Sequence, residues 1–214
     1  MTQYTFQAHE IKSSVSNIDV TNAYHLVMAA KHGDVEQLEK LIALVASPID
    51  RNVALEGAVE NGHIVCVKAL LPYITPKLDN NYALMLAASS GNAQCVQLLI
   101  PLFEPNNCYE SLFEAVKRNQ AECVKLLVPV TDLKQNNSRM LQWAAMYQPN
   151  MVDLLLDASD IDAAIEAIQD DCDNDWDGRK KALTLLEEKR NQRQNQILRS
   201  HIENTGIAPK RHKI

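Results

Sequence analysis

Two spacings are nested in the apolar positions of this chain. Within Asn80 to Ile100, N-N-Y-A-L-M-L-A-A-S-S-G-N-A-Q-C-V-Q-L-L-I, apolar residues fall three and four apart, the spacing that lines one face of an α-helix. Along the chain the same pattern returns, its Leu-x-x-Ala pair recurring as Leu26/Ala29, Leu55/Ala58, Leu84/Ala87, Leu112/Ala115 and Leu141/Ala144, at shifts of 29, 29, 28 and 29 residues. Each copy predicts an inner helix, a turn and an outer helix. In the first copy the outer helix places Val35, Leu38, Leu41 and Ile42 on one stripe, and the second supplies Ile64, Val67, Leu70 and Leu71. A single helical pair cannot bury such a stripe, so neighbouring copies must cover it and the chain is expected to stack.

The turns are punctuated in register. Gly33, Gly62 and Gly91 recur at one position and the fourth copy carries Asn119. Both residue types tolerate the left-handed conformation that closes a helix, so an αL cap is expected at all four. The fifth copy has Gln148-Pro149 and is one residue shorter before Leu154-Leu155, which predicts a differently shaped turn. Pro72, Pro101 and Pro129 follow the outer-helix aliphatics and should end or restrict those helices.

A Leu-x-x-Ala-Ala inner helix, a Gly turn and an outer helix ending in Leu-Leu resemble the ankyrin repeat. The resemblance implies an all-α, ankyrin-like solenoid of about five to six stacked helix-turn-helix repeats with a helical C-terminal cap, acting as a binding scaffold. The family's period is about 33 residues and its inner helix opens Thr-Pro-Leu-His. Here the period is shorter and the Thr-Pro pair is absent, so the projecting fingers between repeats are expected to be short or missing. Residues 1–20, with Phe6, Ile11, Val15 and Ile18, read as an N-terminal lead that caps the stack, and residues 21–158 as repeats. Residues 159–201 read as capping helices, including Lys180 to about His201, and residues 202–214 as a flexible basic tail.

Charge sharpens the reading of the C-terminal part. Residues 140–178 hold ten acids and no Lys or Arg, whereas 179–214 hold ten Lys or Arg against three Glu. The last helix is therefore expected to fold back on an acidic neighbour. Over the whole chain the formal net charge is -6, which argues against a nucleic-acid or anionic-membrane surface. No run of residues approaches a membrane span, and Met1 to Lys12 lacks the basic and apolar regions of a secretory signal. A cytoplasmic protein, monomeric by expectation, follows.

Five cysteines raise metal or disulfide chemistry only until the repeat places them. Cys66, Cys95 and Cys123 each stand eight residues after the repeat Ala, where a small buried apolar side chain is wanted. Cys108 and Cys172 have no Cys or His at zinc-ligand spacing. The sharpest chemical motif is Asp173-x-Asp175-x-Asp177-Gly178, which matches the opening of an EF-hand calcium loop. The match stops at Thr184, where a bidentate Glu should stand, and Arg179, Lys180 and Lys181 oppose a cation. The loop reads instead as a solvated acidic segment whose Asp177 or a neighbour caps the last helix. Dispersed histidines and the absence of a nucleophile elbow or phosphate loop point to a non-enzymatic protein without cofactor or metal. A calcium-responsive or enzymatic module built on Asp173–Gly178 is the alternative function.

Binding is expected on the face that the inner helices turn to solvent, the concave face in an ankyrin-like stack. Five, two and one residues before each turn stand Met28/Lys31/His32, Gly57/Glu60/Asn61, Leu86/Ser89/Ser90, Glu114/Lys117/Arg118 and Trp143/Met146/Tyr147. The row ends in aromatic, Met and basic residues, the types enriched in interface hot spots. Leu86, Lys117, Arg118, Trp143, Met146 and Tyr147 are therefore the candidate residues for a protein partner of unknown identity. The competing reading packs Trp143 and Leu86 between adjacent inner helices.

Overall fold

The structure, a computed structural model, describes residues 20–74, 81–104, 108–131, 133, 137–170 and 177–205, with the side chains of 137, 138, 177 and 205 left aside. All regular structure among these residues is helical. The chain forms two compact units, Met1–Asp132 and Leu133–Ile214.

In the first unit the helices come in pairs: α1 (residues 20–32) with α2 (Val35–Ile42), α3 (Pro48–Glu60) with α4 (Ile64–Leu70), α5 (Tyr82–Ser89) with α6 (Ala93–Leu99), and α7 (Tyr109–Lys117) with α8 (Ala121–Leu127). Inner helices pack on inner helices, α3 on α5 and α5 on α7, while α2, α4, α6 and α8 form the second layer in the same order. This is the stacked helix-turn-helix solenoid that the period requires. Leu26, Leu55, Leu84 and Leu112 and their paired alanines are all buried, as are the outer-helix Leu38, Leu70, Leu99 and Leu127.

Why each pair turns where it does is visible in the backbone. Gly33, Gly62, Gly91 and Asn119 have φ of 74, 71, 76 and 60°. At each, the amide following the αL residue donates back to the carbonyl of the repeat alanine: Asp34 to Ala29 at 2.9 Å, His63 to Ala58 at 2.8 Å, Asn92 to Ala87 at 2.9 Å and Gln120 to Ala115 at 2.8 Å. The αL residue's own amide donates to the next carbonyl along, completing a Schellman closure that satisfies the helix-end acceptors. The repeat Ala thus serves twice, as a small packed side chain and as the acceptor that fixes the turn.

Local chemistry explains where the helices start and stop. Helix α1 is already helical at Val20, the first described residue, and α2 ends at Ile42. Ser47 accepts from the Asp50 amide at 3.3 Å and Pro48 occupies the first turn of α3, where its missing N–H costs nothing. The prolines do end the outer α-helices: the chain tightens into 3₁₀ turns at Leu71–Tyr73, Ile100–Leu102 and Val128–Val130. A second non-glycine αL residue, Asn81 with φ 69°, precedes α5. The segments where fingers would project, 75–80, 105–107 and 134–136, lie outside the described residues, as do the N-terminal lead, Cys172, Asp173, Asp175 and the basic tail.

The second unit opens with the fifth pair, α9 (Asn137–Tyr147) and the short α10 (Val152–Leu155), joined by a 3₁₀ turn at Pro149–Met151 in place of an αL cap. Gln148 adopts φ -138° and ψ 63°, outside the helical region that proline disfavours for its predecessor. Helix α11 (Ile161–Asp170) packs on α9, and α12 (Asp177–Thr205) packs on both. Asp160 caps α11 by accepting from the Asp162 and Ala163 amides, each at 3.1 Å. The segregated charges meet as expected: Lys189 pairs with Asp153 at 2.6 Å, Arg190 with Asp162 at 3.3 Å and Arg193 with Asp157 at 3.8 Å. These pairs are largely exposed, so they orient α12 more than they stabilise it. Its packing comes from the buried Ala182 and Leu186.

Candidate functional site

Each inner helix of the first unit turns a short, mostly polar row outward, and the row is built by contacts along the stack. Gly57 is buried because the stem of Lys31 lies over it; a Cβ there would stand 2.7 Å from Lys31 Cγ. Beyond the second, third and fourth turns the first residue reaches back one repeat. His63 Nε2 donates to the Lys31 carbonyl at 3.0 Å, Asn92 Nδ2 to that of Val59 at 2.7 Å, and Gln120 Nε2 to that of Ser89 at 3.3 Å. A ladder of side-chain bonds therefore fixes neighbouring inner helices at the ends that carry the candidate row.

Of the candidate residues in this unit, Leu86 on α5 is half-buried, and Lys117 and Arg118 at the end of α7 are exposed. The two cations are not free. Glu114, one turn back and itself only 21% exposed, holds Lys117 at 2.9 Å and Arg118 at 3.8 Å. The cluster is thus a carboxylate flanked by two guided cations, able to exchange an internal pair for a partner's carboxylate at low cost, since exposed pairs of this kind contribute little.

In the second unit, Trp143, Met146 and Tyr147 fall together near the end of α9. Trp143 and Met146 are half-buried, and Tyr147 is 51% exposed. The Trp143 and Tyr147 rings lie 5.1 Å apart, centroid to centroid, tilted by 36°. Spaced four residues apart on one helix face, the rings brace each other, Trp143 half-buried and Tyr147 exposed. Trp143 is therefore partly packed and partly presented, and Leu86 is half-buried in the same way.

The cysteines are placed by packing. Cys66, Cys95, Cys108 and Cys123 are free and buried. Burial pushes each thiol up; a Coulombic contribution from Asp34 adds to it at Cys66, and Cys123 reaches about 11 with added contributions from Glu122 and Cys95. Such thiols are poor nucleophiles. Asp173 and Asp175 of the acidic loop lie outside the described residues. No described helix is long and apolar enough to cross a membrane.

One exposed set escaped the sequence reading. Tyr24, Val53 and Tyr82 are exposed, and each stands two residues before the repeat Leu. The signal that finds these residues is the same register read at the other end of the inner helix.

A family model described as "Ankyrin repeats (3 copies)" matches residues 26–111 and 84–167. Among solved structures, the crystal structure of the human ASB11 ankyrin repeat domain matches with a TM-score of 0.54 and 26% sequence identity, covering 76% of this chain and 82% of that one. No curated protein matches the chain.

Proposed function

The chain belongs to the ankyrin-repeat family, and from that premise we propose that it is a non-enzymatic scaffold that binds a protein partner through the concave, solvent-facing side of its inner helices. Ankyrin repeats are in general protein–protein interaction modules. The observation that carries the finer reading is the Trp143–Tyr147 pair, an aromatic anchor braced from below and half exposed on an inner helix. Met146 in the same unit and, taken separately, Leu86, Lys117 and Arg118 in the first unit are the other proposed contact residues. Aromatic and Arg side chains of this kind concentrate binding energy.

The role is that of an adaptor or inhibitor acting by occupancy in a reducing cytosol, its own or, for an effector-like protein, a host's. Reduced, buried thiols suit that compartment. The test is affinity capture from the cell followed by titration of the identified partner. Tyr147→Ala and Arg118→Ala should each weaken binding at least tenfold with Tm nearly unchanged, and Gln97→Ala on the outer α6 should do nothing. Equal affinity across all three variants refutes the assignment.

A further inference from the structure

The first unit leaves apolar side chains exposed in a pattern that packing within the array does not require. Tyr24 is 61% exposed, Ile49 64% and Tyr82 46%, and Val20 and Val53 are exposed with them. Scattered exposed apolar residues are ordinary on a protein surface. These are in register: Tyr24, Val53 and Tyr82 hold one repeat position on α1, α3 and α5, and the same position on α7 is the exposed Glu110. With neighbouring helices roughly 8–10 Å apart, the row runs about 20 Å across three helices.

A cleft opens at the start of this row. It measures about 330 Å³ and is lined by Val20, Ala23, Tyr24, Val27 and Asp50. Four of its five walls are apolar and the fifth is a carboxylate, half-buried and, among the described residues, in no ion pair. Helix α3 continues the same character: its outward stripe reads Ile49, Val53, Glu56 and Glu60, apolar at one end and acidic at the other. The nearby Arg51 is engaged elsewhere, stacked 5.4 Å from the Tyr73 ring centroid and donating to the Ile42 carbonyl at 3.5 Å.

We propose that this row is a docking surface for a basic, apolar peptide segment of a protein partner, an aliphatic or aromatic side chain entering the Val20/Tyr24/Val27 cleft and a Lys or Arg one turn away meeting Asp50. Charge complementarity selects that occupant: the row offers Asp50, Glu60 and Glu110, three acids against the one Lys31 whose stem lies over Gly57. Tyrosine supplies large contact area at small entropy cost, and an acid at the edge of an apolar cleft selects a cation. A peptide of about four helical turns matches the row's length. The row continues the solvent-facing side of the inner helices and so rests on the proposed function, but it uses none of the α9 residues.

The test is selection of a random dodecamer phage library on the full chain, then anisotropy titrations of the best synthetic peptide. Enrichment of Lys or Arg within one turn of a large apolar residue is expected. Tyr24→Ser and Tyr82→Ser should weaken the peptide at least tenfold, Asp50→Asn about three- to tenfold with a flatter salt dependence, and Tyr147→Ala not at all. Three results overturn the proposal: no enrichment or an acidic consensus; unchanged affinity in both tyrosine variants; or a wild-type dimer in sedimentation velocity that Tyr24→Ser dissolves, which makes the row a self-interface. Melting of each variant is followed alongside, and Tyr82→Ser carries the test if Tyr24→Ser loses the fold.

Discussion

Replacing the turn glycines one at a time by alanine separates backbone geometry from packing. Gly62 and Gly91 share nearly the same φ, 71 and 76°, so the strain of placing a Cβ in the left-handed region is common to both, about 1–2 kcal/mol. Their surroundings differ. A Cβ on Gly62 meets Asn92 Oδ1 at 3.5 Å, an ordinary contact, whereas one on Gly91 overlaps the Gln120 carboxamide. Gln120 is a flexible side chain and will move aside, but in doing so it gives up its bond to the Ser89 carbonyl, about 0.5–1.5 kcal/mol. Gly62→Ala should therefore cost about 1–2 kcal/mol and Gly91→Ala about 1.5–3.5 kcal/mol. Urea unfolding at constant slope reads the difference. In a Gln120→Ala background the extra cost of Gly91→Ala should vanish, the cycle isolating the coupling. If Gly91→Ala costs the same with and without Gln120, the inter-repeat ladder has no energetic role and the argument fails.

Other consequences follow from burial and from the thiols. Leu84→Ala, fully buried on α5 between α3 and α7, should lose about 2–5 kcal/mol, and a variant melting within a degree of wild type contradicts its placement. Asn119→Gly should shift stability by under about 1 kcal/mol, because both residues accept the φ of 60° found there, while Gly91→Val should cost far more. Folding raises the Cys123 thiol from 9.0 to about 11, so its neutral form is the one the fold keeps. That contribution is full below about pH 8.5 and is lost as pH rises toward 11. Melting temperature should fall over this range, and Cys123→Ala should flatten the fall; an unchanged profile contradicts the burial argument.

Register was the most legible property of the chain, because Leu-x-x-Ala and the turn residue must recur wherever identical pairs stack. That constraint placed all four αL turns, and Gln148-Pro149 marked the one turn that departs. Lys117 and Arg118 pair with Glu114, which stands three and four residues before them, and that pairing entered only with the structure. Less was readable where tertiary contact decides. Lys31 lying over Gly57, and the back-reaching His63, Asn92 and Gln120, depend on a neighbour 31 to 33 residues away. The αL residue Asn81 carried no periodic signal. The exposed Tyr24, Val53 and Tyr82 were in plain register but stand next to buried leucines, where pattern alone assigns apolar residues to the core.

Site-specific photocrosslinking in living cells tests the binding claim most directly. A benzophenone side chain replaces Tyr147 on the inner helix α9 or, as control, the exposed Glu122 on the outer helix α8. A discrete adduct is expected from position 147, captured with the same mass in repeated experiments, and none from position 122. An adduct from position 122 alone would contradict the account, because the partner would then sit on the outer layer and the inner-helix face would not be the binding surface.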